Sequence, residues 1–187
     1  MTFDEILRHR ASTRRYTDQM PSDEAIRKIL DAALLAPIVH LHKFHLSIVT
    51  SKEVMNLAEE TTAEIFDKPD SAIRMPRPYM YGAPVWIILS GTKHDESTPQ
   101  GRLMNNNLFW NVGSIIENME LQAAELGLAS CGINTTIVGM MDRPDVRKAA
   151  GIPEGYAALA SVIVGYPVAP LAERKVKPDF IPVSFVR

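Results

Sequence analysis

The sequence predicts a single α+β domain, on three observations. Helical patterns come first in the chain and mixed helices and strands follow. Two apolar runs without alternation, Val85 to Leu89 and Ala160 to Val164, read as strands buried on both faces. Between them lies the longest periodic segment, about Leu103 to Leu126, with Leu108, Val112, Ile115, Ile116, Met119 and Ala123 on one broad stripe. The 187 residues suffice for one domain, and 46% hydrophobic with 22% charged residues excludes disorder, collagen and coiled-coil rods. No repeat, low-complexity tract or linker divides residues 1–187.

Each element has its own local reason. Thr2-Phe3-Asp4-Glu5 is a capping box, so a short helix begins there, with Ile6 and Leu7 as its apolar face and Arg8 and Arg10 near its end. A second helix opens at Ser22; Ile26, Ile29, Leu30, Ala33 and Leu34 recur at helical spacing and Pro37 ends it. Phe44 to Thr50 reads as a strand and about Lys52 to Phe66 as a helix. Four prolines between Asp67 and Pro84 mark a loop that covers something. The long helix ends at Gly127, a short segment runs from Cys131 to Asn134, and a further helix spans Asp142 to Ala150. After the last strand come a basic cluster, Arg174, Lys175 and Lys177, and an apolar ending, Phe180 to Val186. A disordered tail has no reason to hold so many apolar side chains. It packs either on its own core or on a second copy, the latter implying a dimer with exchanged arms.

Composition removes several functions. A net charge of -2 supplies no global field for nucleic acid or anionic lipid, so neither is expected as a partner. Met1 opens no signal pattern and no apolar run approaches the ~20 residues that cross a bilayer, so a cytoplasmic protein is expected. A single cysteine, Cys131, excludes an internal disulfide framework, and its small neighbours suit a buried hydrophobe rather than an activated thiol. Gly-rich dinucleotide, phosphate-loop, Gly-x-Ser-x-Gly and His-Glu-x-x-His signatures are absent. His40, His42 and His45 have metal-ligand character, but His45 faces the other side of a strand and no Asp, Glu or Cys lies among them. No metal is expected.

The informative segment is Arg10-Ala11-Ser12-Thr13-Arg14. In an extended run Arg10, Ser12 and Arg14 point to one side, and two guanidinium forks around a hydroxyl suit a phosphate monoester; a solvated basic face is the alternative. Further landmarks follow in order. They are Ala36-Pro37, Ala83-Pro84 before an apolar strand, Asn118-Met119-x-Leu121-x-x-Ala124, Leu126-Gly127-Leu128-x-Ser130-Cys131, Gly151-Ile152-Pro153 and Val164-Gly165-Tyr166-Pro167.

With Arg-x-Ser-x-Arg after a short first helix, this series resembles the flavin-dependent nitroreductase family over nearly the whole chain. The resemblance implies a mixed, mainly antiparallel sheet flanked by helices. It also implies a homodimer formed through long helices, with FMN at each subunit interface and an arm of about residues 168–187 packed on the partner. Arg10 and Ser12 would hold the FMN phosphate, with Lys175 and Lys177 from the tail, and Ala11 would belong to the same cofactor site. Arg14 would lie at the pyrimidine edge, where negative charge develops on hydride transfer, and Gly132, Ile133 and Asn134 would present backbone to the ring. No side chain need act as acid or base. The implied activity is ping-pong hydride transfer from NADH or NADPH to a nitroaromatic, quinone or related acceptor. Other flavin chemistry (dehalogenation, dehydrogenation, flavin breakdown) and non-enzymatic flavin binding are the alternatives.

One segment departs from the family pattern. After Ala36-Pro37 the family continues with Ser, two variable residues, then Asn-x-Gln-Pro-Trp, whereas this chain reads Ile38-Val39-His40-Leu41-His42-Lys43-Phe44. His40 and His42 would stand in for the amides, since imidazole can donate to a flavin carbonyl or ribityl hydroxyl. Phe109 and Trp110, entering the long helix, fit either a substrate pocket or a dimer core.

Overall fold

In the computed structural model, residues 1–39, 42–72, 75–177 and 180–186 are described. Five of the elements are α1 (Phe3–His9), α2 (Asp23–Leu34), β1 (Phe44–Val49), α3 (Lys52–Phe66) and β2 (Val85–Gly91). They are followed by α4 (Pro99–Glu125), β3 (Ala129–Ile133), α5 (Thr135–Gly139), α6 (Pro144–Ala149) and β4 (Ala157–Gly165). The strands form one antiparallel sheet in the order β1-β2-β4-β3. None of the described helices is long and apolar enough to cross a membrane.

The central strands carry no polar face because helices cover both sides. Val85, Ile87 and Leu89 pack with Ile29 of α2 and with Leu108, Ile115 and Met119 of α4. Trp86 and Ile88, pointing the other way, pack with Met55 and Ala58 of α3, Ile137 of α5 and Val146 of α6. Every residue of β2 is buried, which is why its sequence shows no alternation.

Local signals set most boundaries. Both halves of the capping box form at Thr2 and Glu5. The hydroxyls of Ser22 and Ser51 cap α2 and α3; each such cap contributes about 1 kcal/mol. The long helix begins earlier than its periodicity predicts, at Pro99, because Thr98 accepts from the Gly101 amide at 3.0 Å while proline occupies the first turn. The segment around Cys131 is a strand, β3, made largely of small residues that carry no strand signal of their own. The five-residue α5 is too short to show a period. It packs so closely on α3 that a Cβ at Gly139 would come within 2.8 Å of Thr62 Cα.

Candidate functional site

The Arg-x-Ser-x-Arg segment is positioned by the end of α1 and the edge of the sheet. At Arg10 the backbone leaves the helix for an extended conformation. Ser12 then forms a parallel bridge with Ser130 of β3, the Thr13 amide donates to the Ser130 carbonyl at 2.9 Å, and Tyr16 bridges to Pro167 beyond β4. This strip lies against the free edge of β3, beside Gly132, Ile133 and Asn134.

The two arginines have different neighbours. The Arg10 guanidinium lies 3.5 Å from the Glu117 carboxylate and 3.8 Å from that of Glu120, both on α4, and its Nε is buried without a hydrogen-bond partner. The exposed Arg14 lies over the Tyr81 ring, 5.8 Å from its centroid. Tyr81 itself holds a positive φ of 53° at the end of the 67–84 loop, so that loop does border the site. Burial pushes the Cys131 thiol above its usual range against the opposing pull of Arg14 and a hydrogen bond with Ser12, so the thiol stays neutral.

Glu120 ties these pieces together. Its side chain is only 8% exposed, and its carboxylate accepts from the Gly132 amide at 3.2 Å and the Ser130 hydroxyl at 3.3 Å. Burial raises its pKa above the ordinary carboxylate value, outweighing the Arg10 charge. The sequence held a signal for it, a carboxylate one turn after Ile116 and three residues before Ala123 on the buried stripe.

A cleft of about 350 Å³ opens here, lined among others by Arg14, Phe66, Tyr81, Gly132, Asn134 and Val138. Gly132 is exposed, and a Cβ there would meet only Ile116 Cγ2, at 4.0 Å. Packing within the subunit therefore does not demand a glycine; bare backbone is left open to whatever enters the cleft. Ile133 faces the core, and the Asn134 side chain, at the start of α5, makes no capping hydrogen bond.

The remaining sequence candidates lie elsewhere. Ala11 and Arg14 border a second cleft, of about 450 Å³, that extends to Arg174; Arg174 in turn borders a third, of about 700 Å³, lined by Lys175 and Lys177. The tail is held to α1 by the Arg174 amide on the Arg8 carbonyl, at 2.9 Å, and its guanidinium on the Leu7 carbonyl, at 3.0 Å. Arg14 thus lines both the first and the second cleft, and Arg174 both the second and the third.

His40 lies outside the described residues. His42 is buried against His94 and Phe44, with ring centroids 5.2 and 5.9 Å away and neither ring nitrogen hydrogen-bonded. His94 is held by Asn105 near the start of α4, roughly 22 Å along the helix from Glu120 at 1.5 Å per residue. One subunit therefore brings together Arg10, Ser12, Arg14, Gly132, Ile133 and Asn134, and leaves His42 apart. Among the described residues no group of three His, Cys, Asp or Glu side chains could hold a metal.

Burial, then the neighbouring His94, lowers the His42 pKa below 6.5. Since the unfolded chain then binds the proton more readily, His42 contributes stability in full above pH 6.5, and that contribution is lost as pH falls toward the folded value. His42→Phe is expected to flatten the acid limb of a plot of Tm against pH below 6.5; an unchanged limb would contradict this.

Known proteins share the fold described above. The sequence matches the Nitroreductase family over residues 7–166. A Methanothermobacter thermautotrophicus protein named "Putative NADH dehydrogenase/NAD(P)H nitroreductase" is 28% identical over 172 residues, 87% of this chain and 76% of that protein. A Bacteroides fragilis nitroreductase solved with bound FMN is 25% identical, with a TM-score of 0.78 over 99% of this chain and 100% of that one. A Desulfitobacterium hafniense nitroreductase, also solved with bound FMN, shares the fold at a TM-score of 0.80 over the full length of both chains, with 23% identity. An arginine strip on the edge of β3, a bare glycine beside it and a family match across the whole sheet leave one conclusion: the chain belongs to the nitroreductase family.

Proposed function

We propose that this chain is an FMN-dependent oxidoreductase that takes reducing equivalents from NADH or NADPH and delivers them to a nitroaromatic, quinone or related acceptor in the same cleft. The observation that carries this reading is the Gly132 backbone, exposed beside Arg14 in a cleft of about 350 Å³, with no packing reason for its missing side chain. The Arg10 guanidinium, whose Nε makes no hydrogen bond and lies 3.5 Å from Glu117, and the exposed Ser12 fit a phosphate group. FMN, when bound, supplies the hydride chemistry. The chain's residues bind and tune. Arg10, Ala11 and Ser12, with Lys175 and Lys177 from the tail, hold the phosphate; Arg14, supported by the Tyr81 ring, sets a positive charge where negative charge develops. Gly132, Ile133 and Asn134 offer backbone to the ring, and Phe66, Tyr81 and Val138 give the cleft an apolar wall.

A homodimer belongs to this reading. Leu103, Phe109 and Trp110 on α4 and Phe180, Ile181, Val183 and Phe185 in the arm are all more than half exposed in one subunit. His42 would serve only a second copy's flavin, since its own cleft lies most of α4 away. A cytoplasmic site, where reduced nicotinamides are at hand, goes with the same reading.

An absorbance spectrum taken before and after anaerobic addition of NADH or NADPH tests it. Purified protein should be yellow, or become so with FMN, and lose the flavin band on reduction. Tight FMN unaltered by either nicotinamide would replace the enzyme with a flavin binder; protein colourless after FMN is added would end the reading. Gly132→Ala should keep the Tm of the parent, because the added Cβ meets only Ile116 Cγ2 at 4.0 Å, yet lose about tenfold in FMN affinity through the blocked approach.

A further inference from the structure

Arg10, which the proposed function assigns to the FMN phosphate, already has two counter-charges from its own chain, Glu117 at 3.5 Å and Glu120 at 3.8 Å. A phosphate arriving there meets the like charge of two carboxylates on α4. The two carboxylates can respond differently. Glu117 has a side chain 47% exposed and can turn into water. Glu120 cannot, because its side chain is 8% exposed and one of its oxygens is held by both the Gly132 amide and the Ser130 hydroxyl. The only way for Glu120 to shed its charge in place is to take a proton.

We propose that Glu120 is a positioning residue whose carboxylate is protonated when a phosphate monoester settles on Arg10, so that binding of the phosphorylated flavin is proton-linked. This rests on the FMN reading above. The balance is simple: one proton from solvent converts the carboxylate to the acid and no electrons move. Oε1 keeps accepting from Gly132 and Ser130, and the proton sits on Oε2, on the Arg10 side, where it turns a repelling oxygen into a donor.

The surroundings leave Glu120 as the group that responds. From the end of α1 it faces Arg10, from its own helix Glu117, from β3 the Ser130 hydroxyl and the Cys131 thiol, and from the strip between them Tyr16, with Arg14 next to that pair. Cys131 and Tyr16 are both pushed up by burial and stay neutral. Glu120 is already raised by burial, and a phosphate at Arg10 adds a further like charge; charges within ~4–6 Å move a pKa by about 1–3 units.

Calorimetric titration of FMN into the flavin-free protein at pH 7.5, in two buffers of different ionisation heat, counts the protons taken up. The wild type should take up a fraction of a proton or more with FMN and none with riboflavin, which lacks the phosphate. Glu120→Gln keeps the acceptor oxygen without the charge; it should abolish that uptake and bind FMN about tenfold more tightly at pH 8, one decade per pKa unit removed. Riboflavin affinity should be equal in the two proteins. No proton uptake by the wild type overturns the proposal, as does a Glu120→Gln variant that binds FMN more weakly with the same pH slope. Should the variant fail to melt cooperatively, the 31P chemical shift of bound FMN at pH 7.5 decides: uptake with the phosphate still a dianion supports Glu120, and uptake with the phosphate a monoanion overturns the proposal. Wild type that binds no FMN overturns the functional reading along with this one, whereas pH-independent FMN binding overturns this one only.

Discussion

Arg10→Ala is expected to weaken FMN binding about a hundredfold, read by fluorescence titration. A charge-assisted hydrogen bond contributes about 1.5–3 kcal/mol, and a guanidinium can offer two to one phosphate. The loss is compounded by what stays behind, since Glu117 then faces the phosphate without its cation. Riboflavin affinity should change far less, because the effect travels through the phosphate. Arg14→Ala should weaken both flavins, having removed the charge beside the ring. Arg143→Ala is the control; its partners are Glu64 and Asp145, away from the site, and flavin occupancy should not move. Unchanged occupancy in both Arg10→Ala and Arg14→Ala would remove the assignment of this site.

Deleting residues 168–187 is expected to convert a dimer into a monomer at micromolar concentration, read by sedimentation velocity. Phe180, Ile181, Val183, Phe185 and Val186 are 68–97% exposed in one subunit. Burying such a side chain contributes about 1.5–3 kcal/mol, so five give roughly 7–15 kcal/mol per arm before the cost of ordering it. That is enough to decide an association. FMN retention should fall as well, because Lys175 and Lys177 leave with the arm. Phe180→Ser with Phe185→Ser separates the two effects, since it keeps the lysines: it should weaken the dimer yet retain FMN at protein concentrations where the dimer persists. An intact chain that sediments as a monomer would contradict the arm's role.

Much of the fold was legible in the residues. The apolar runs of β2 and β4 and the stripe on α4 report burial through local pattern, and Thr2, Ser22 and Ser51 report helix starts through capping chemistry. Elements without such a signal were not legible. β3 is built of small residues and earns its strand only by pairing with β4, and α5 is a single turn held by close packing on α3. The start of α4 was missed by several residues because its first turn has no apolar face to repeat.

The site divides in the same way. Arg10, Ser12 and Arg14 stand out in the sequence by type and spacing, and the landmarks from Ala36-Pro37 to Tyr166-Pro167 carried the resemblance to nitroreductases. What the chain determined by itself is thus a set of short-range facts: periodicity, caps, two cations four residues apart with a hydroxyl midway. Only the tertiary structure decided that this strip lies against β3, that Glu120 grips Gly132 while facing Arg10, that Tyr81 backs Arg14, and that His42 sits far from all of them. The reason is physical. Secondary structure follows from interactions a few residues apart, whereas the charge balance of a cleft is set by groups from distant segments that meet only once the core has packed.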